Sequence, residues 1–154
     1  MGLLWNSAAP APYSPPFVNG TFMLVLAAIY FFMNTATVYT FITGLSASLV
    51  ETSGTNIPNN LGLAIIACLE GLIAYYLPHL LDPSQGYLGQ SAVLLVVAVA
   101  FILSLPAWNS FLAQFYSGQL VSGQLSQNGA ILNAAIFALL LYGFGNRVGA
   151  GSDA

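Results

Sequence analysis

One basic residue, Arg147, stands in a chain of 154, with no lysine and four acidic side chains, Glu51, Glu70, Asp82 and Asp153. Charged residues make up 3% of the sequence, where a soluble domain uses about a quarter to hydrate its exterior and keep its copies apart. So little charge cannot cover the surface of a water-soluble fold. With almost no cation to meet a phosphate backbone, direct nucleic-acid binding is not expected. The lone cysteine, Cys68, lies in an apolar run, which excludes an intrachain disulfide and a Cys-rich metal site. The lone histidine, His79, could give a haem or chlorophyll no more than one axial bond, and no cofactor is expected.

Reactive groups are as scarce as charge. His79, Asp82 and Ser84 lie close in sequence, but a helix end and a proline turn do not give the aligned geometry of a triad. Gly44-Leu45-Ser46-Ala47 has the Gly-x-Ser of intramembrane serine proteases without the closing glycine. No catalytic residue and no metal ligand is assigned, and the chain reads as a non-enzyme. Met1 to Pro16 lacks the basic n-region of a secretory signal. Its prolines, Pro10, Pro12, Pro15 and Pro16, predict an extended arm over residues 1–19, with Leu3, Leu4 and Trp5 as an apolar tip.

What the chain has in abundance is apolar surface, at 58% of residues. It is gathered into four long segments, about residues 20–50, 61–81, 83–116 and 130–145, joined by loops of Ser, Thr, Asn, Gln, Gly and Pro. Runs of this length do not alternate with period two, so a β-barrel is not expected. The pattern predicts an all-α fold of four long apolar helices in antiparallel hairpins, membrane-type or self-assembling. The first segment, as one helix, would reach roughly 45 Å, more than the ~30 Å hydrocarbon core of a bilayer. Asp82-Pro83-Ser84-Gln85 predicts the start of the third helix, with Asp82 as N-cap. Pro106 predicts a kink within it. Ser-Gly-Gln-Leu occurs at Ser117–Leu120 and again at Ser122–Leu125, a micro-repeat in a polar loop.

Small residues recur at helical spacing. Ala28, Ala36, Thr40, Gly44 and Ser48 form a row in the first segment, Ala130, Ala134 and Ala138 one in the fourth; Ala64 with Cys68 and Ala67 with Gly71 pair in the second. Such rows let helix backbones approach closely, within one bundle or between subunits. Among polar side chains in the apolar segments, Asn34 and Asn133 need partners and are candidates for clamping helices together, whereas Thr35, Thr37 and Thr43 can bond their own preceding turn. Glu70 lies near the middle of the second segment, where a carboxylate is by default a candidate functional group. His79 is on the opposite helical face and Arg147 at another depth, so Glu70 is expected to be neutral and bonded to a backbone or hydroxyl group. His79 is expected at a helix end beside Tyr75 and Tyr76.

In its charge depletion, Pro-rich arm and small-residue rows, the chain resembles the short, very apolar helical coat proteins of spindle-shaped archaeal viruses. That resemblance implies a shell of many copies held by helix-to-helix contact, with genome packaging left to another protein. Two other readings compete: an accessory subunit of a respiratory or photosynthetic membrane complex, and a small oligomeric channel or transporter centred on Glu70. All three place the chain in a membrane or virion, with copies of itself or other membrane subunits, and lipid, as partners.

Expression without detergent should give insoluble or assembled material at every pH from about 3 to 8, since exposed apolar patches beyond a few hundred Å² already drive association. A monodisperse monomer in light scattering would refute the coat and membrane readings together.

Overall fold

A computed structural model describes Phe17 and residues 19–50, 58–84, 86–121 and 124–145. The expected Pro-rich arm, Glu51, Arg147 and Asp153 lie outside the described residues. The fold is mostly helical: α1 (Gly20–Met33), α2 (Ala36–Leu45), a 3₁₀ turn (Ala47–Leu49), α3 (Asn60–Leu81), α4 (Gln90–Ser104), α5 (Pro106–Ala113), a two-residue hairpin β1 (Leu120–Val121) and β2 (Gln124–Leu125), then α6 (Gln127–Leu140) with a π-helical turn (Leu141–Gly145). Two helices, Asn60–Leu81 and Gln127–Gly145, are long and apolar enough to cross a membrane, or four if the bent pairs α1–α2 and α4–α5 each count as one span.

Two of the four expected helices are broken. The 20–50 segment bends by 57° between α1 and α2. Two polar side chains donate to carbonyls at the break, where Phe32 O also accepts from the Thr35 backbone amide at 3.1 Å. The Asn34 amide donates to Tyr30 O at 2.9 Å and the Thr35 hydroxyl to Phe32 O at 2.7 Å, while Thr35 itself turns extended (φ −88°, ψ 162°). The 83–116 segment bends by 58° at Leu105. Pro106 has no N–H for Ile102 O and forces the preceding residue out of the helical region (Leu105 ψ 139°). Asp82 is not the N-cap of α4. It closes α3, and its carboxylate accepts from the backbone N–H and hydroxyl of Ser84 in a turn; α4 begins only at Gln90, after Gly89. The fourth helix starts earlier than 130, capped by Ser126.

The four longest helices close a ring in which α1 and α4 each pack on both α3 and α6. Between α3 and α4, Tyr75 stacks on Tyr87 and a side chain at Gly71 would run into Val97 and Val93, so this pair runs antiparallel. Between α1 and α6, Tyr30 stacks on Phe137 with centroids 4.5 Å apart, and Gly145 lies against Phe17. The main core, from Phe22, Leu26 and Tyr30 through Ala74, Val96 and Leu103 to Phe137 and Leu141, fills the ring. A second cluster of Met33, Ile42, Leu49 and Ile66 seals the space under α2.

The chain traverses this architecture twice. Helix, bend, short helix, return loop and long helix make up α1–α2–α3, and the same order makes up α4–α5–α6. The correspondence reaches single hydrogen bonds. Leu49 N donates to Ser46 O and Gln119 N to Tyr116 O, both at 3.1 Å; Asn59 N donates to Leu49 O and Ser126 N to Gln119 O. The Asn59 side chain donates to Ser48 O and that of Ser126 to Gly118 O. Asn59 caps α3 by accepting from Gly62 N at 3.0 Å, and Ser126 caps α6 by accepting from Gly129 N at 2.8 Å. Both glycines are forced by close approach, to Pro58 and Leu49 O in one half and to Gln119 O in the other. The isolated bridge Val50–Pro58 matches the Leu120–Leu125 pair of the hairpin. The two halves therefore repeat one backbone plan, in which α4 corresponds to α1 and α6 to α3.

Gly71→Leu should destabilise the α3–α4 contact by about 1–3 kcal/mol through overpacking, lowering the thermal midpoint followed by circular dichroism in detergent. An unchanged midpoint would mean that α3 and α4 do not meet there.

Candidate functional site

Two polar centres are buried in this apolar ring. The first is organised by the α4–α5 break. With the helix interrupted at Leu105, the carbonyl of Leu103 has lost its amide, and two side-chain amides replace it: Asn109 Nδ2 at 3.2 Å and Asn133 Nδ2 at 3.2 Å. Asn109 also donates to Leu105 O at 3.1 Å. Its own carbonyl oxygen accepts from Asn133 at 2.7 Å and from Gln119 Nε2 at 2.8 Å. The Trp108 indole donates to Asn133 Oδ1 at 3.1 Å. This network ties α4, α5, the hairpin loop and α6 into one unit. Asn133 and Gln119 are fully buried, so each bond replaces water that cannot reach it; Gln119 Oε1 is left without a partner among the described residues. At the other break, Tyr39 donates its hydroxyl to Asn34 Oδ1 at 2.7 Å, bracing α2 against the end of α1. Asn34 and Asn133 each lie one turn from the Tyr30–Phe137 stack, so both breaks sit at one level and one end of the ring.

The second centre lies deeper. Glu70 faces into the ring from the middle of α3 and is 1% exposed. Neither of its carboxyl oxygens has a hydrogen-bond partner among the described residues, and neither does the hydroxyl of Tyr30. The hydrogen bond expected for Glu70 is thus not made. Tyr30 is close enough to interact electrostatically with both Glu70 and Tyr39. A buried polar group left bare costs about 1–3 kcal/mol, so three such oxygens together are a local sacrifice of stability.

The remaining candidates fall elsewhere. Ala36, Thr40, Gly44 and Ser48 all face outward, and a side chain at Gly44 would meet nothing within 4 Å. Ala28 is exposed too, but the bend separates it from that row. Ala130 is buried, while Ala134 and Ala138 are half-buried, with Ala134 packed on the core. His79 lies against Tyr87 with centroids 4.9 Å apart, beside the Tyr75–Tyr76–Tyr87 cluster at the closed end of the α3–α4 hairpin. No group of three His, Cys, Asp or Glu side chains among the described residues could hold a metal. A groove along α6, lined by Tyr116, Asn128, Ile131, Leu132 and Ala135, is open and largely apolar. The sequence reading missed Asn109, Gln119, Tyr30 and Tyr39; the signal available for Asn109 was its place three residues after Pro106, where a freed carbonyl needs a donor.

Comparison with protein families, with curated proteins and with solved structures finds no match for this chain.

Asn109→Leu keeps the volume but strips donors from Leu103 O and Leu105 O and the acceptor from Gln119 and Asn133. It should cost about 1–3 kcal/mol for each group left bare, and the Trp108 fluorescence should report loosening at the same denaturant concentration as the circular dichroism. Asn128→Leu, on the exposed side of α6, should leave stability unchanged.

Proposed function

We propose that this chain is a non-enzymatic structural protein that packs through apolar helix faces into a multi-copy, lipid-associated assembly, most specifically a coat or membrane lattice of the kind its composition resembles. In this reading the long helices form antiparallel hairpins through the lipid layer, and the bent arms α2 and α5 lie at one boundary. The observation that carries it is the outer face. Leu24, Phe41, Leu45, Leu80, Leu94, Phe115 and Leu139 are each about 60% exposed or more, a surface that water does not tolerate over such an extent. Between them, the small-residue row on α2 leaves open space where another helix backbone could approach. The alternative of an accessory subunit of a larger membrane complex would use the same face against a different chain.

Gly44→Leu separates these outcomes at a position where an added Cβ meets nothing of its own molecule within 4 Å. Self-association in mild detergent, measured by analytical ultracentrifugation, should weaken by about 1–3 kcal/mol per contact, and ordered assembly should be lost on detergent removal. Unchanged assembly geometry would exclude this face as the interface between copies. A wild-type chain that stays monomeric in detergent and in lipid would favour the accessory-subunit reading.

A further inference from the structure

The repeated backbone plan of the two halves gives an internal control for buried residues in the matched helices. Most equivalent positions are filled alike: Leu26 with Val96, Met33 with Leu103 and Ala74 with Leu141 are all buried and apolar. The capping pair Asn59 and Ser126 keeps its chemistry as well. Glu70 breaks the pattern. Its equivalent in α6 is Phe137, equally buried, which stacks on Tyr30. The equivalent of Tyr30 in α4 is Ala100, also buried. The second half therefore places apolar side chains at the two equivalent positions, whereas the first half holds there a carboxyl group and a phenol whose oxygens are unbonded.

We propose that Glu70 is a proton-exchange site at the centre of the ring, with the Tyr30 hydroxyl as its partner. A hydroxyl both accepts and donates. Tyr30 can therefore take a hydrogen bond from the protonated acid and give one to the carboxylate, so that one proton gained or lost at Glu70 Oε is accommodated without a change of fold. The groups facing Glu70 leave no other ion in play. From α1 comes Tyr30 and beyond it, on α2, Tyr39, whose hydroxyl is bonded to Asn34 at the helix break. The buried residues that α4 and α6 contribute to the core, Val96, Val99, Ala100 and Phe137 among them, carry no titratable group. Three oxygens are too few to replace the shell of a dehydrated metal cation, which takes about six ligands, whereas a proton needs one donor and one acceptor. The Tyr39–Asn34 pair marks the polar way from this centre towards the broken end of the bundle. The inference does not rest on how copies assemble, because Glu70 is enclosed within one chain.

Difference infrared spectroscopy of the full chain in detergent tests this directly, since only four side-chain carboxyl groups contribute. The expected result is a carboxylic-acid C=O band that converts reversibly to carboxylate between about pH 6 and pH 10, above the range in which ordinary carboxyl groups titrate, disappears in Glu70→Gln, and titrates with its midpoint displaced by about one pH unit or more in Tyr30→Phe. A band that stays constant over this range, or that survives in Glu70→Gln, would overturn the proposal. So would a midpoint that moves with Na⁺ or K⁺ at constant ionic strength, which would make the site one for a metal cation. Should Glu70→Gln fail to fold, Glu70→Phe installs the residue of the equivalent position and serves as the same blank. Failure of both variants to fold would show that the architecture itself requires the carboxyl, and would equally overturn the proposal.

Discussion

Backbone carbonyls that lose their helical partners inside an apolar chain have no water to turn to, and the structure is arranged around supplying them with donors. Each of the two helix breaks frees such groups. In the first half Asn34 and Thr35 supply the donors from within the break itself; in the second Asn109 and Asn133 supply them from a neighbouring turn and a distant helix. An unpaired carbonyl in an apolar medium costs several times what a surface one does, so a break is tolerated only where such a side chain is at hand. The bends of 57° and 58°, and the peripheral place of α2 and α5 that results, follow from these few polar contacts.

The two halves meet this requirement with different residues while keeping the same geometry. Proline enforces the second bend by removing a donor; Asn-Thr produces the first by competing with the donors that are present. The returns into α3 and α6 are more strictly alike, since each needs a cap that accepts from the third amide and a glycine where the incoming loop crosses at van der Waals distance. What the duplication holds constant is thus the path of the backbone and the pattern of burial rather than residue identity.

This explains which parts of the fold were legible in the sequence. The 61–81 segment is α3 to within a residue, because its run of helix-compatible apolar residues carries no side chain that takes a carbonyl from the preceding turn. The 20–50 segment reads as continuous because Asn and Thr inside an apolar helix are ordinarily silent, and their effect on Tyr30 O and Phe32 O depends on rotamers that periodicity does not encode. Asp82-Pro83-Ser84 fits a helix start and a turn equally well by local chemistry, and only the packing of Leu88 and Tyr87 back onto Tyr75 decides for the turn. The duplication itself was hidden because its strongest markers, Asn59 with Gly62 and Ser126 with Gly129, pair chemically similar rather than identical residues. Of the candidate groups, Glu70 and Asn133 stood out by being polar in apolar runs, whereas Tyr30 did not, since a buried tyrosine acquires meaning only from what its hydroxyl fails to reach.

The two ends of the ring differ, and that polarity bears on how the molecule sits. One end carries both helix breaks, the caps of α3 and α6 and the Asn–Gln network; the other carries the closed α3–α4 turn with Tyr75, Tyr76, Tyr87 and His79. Aromatic residues with a polar tip favour the boundary between lipid and water, and side-chain amides that hold freed carbonyls favour a level where the backbone must be shielded from lipid. The 22 residues of α3 reach roughly 33 Å, close to a hydrocarbon core of ~30 Å. Were α3 to span a bilayer, Glu70 would fall near mid-depth, farthest from both boundaries, where an ionisable group is costliest to keep. The equivalent point of the other half is held by phenylalanine, equally buried, so the backbone path accepts an apolar side chain there and does not itself call for a carboxyl group.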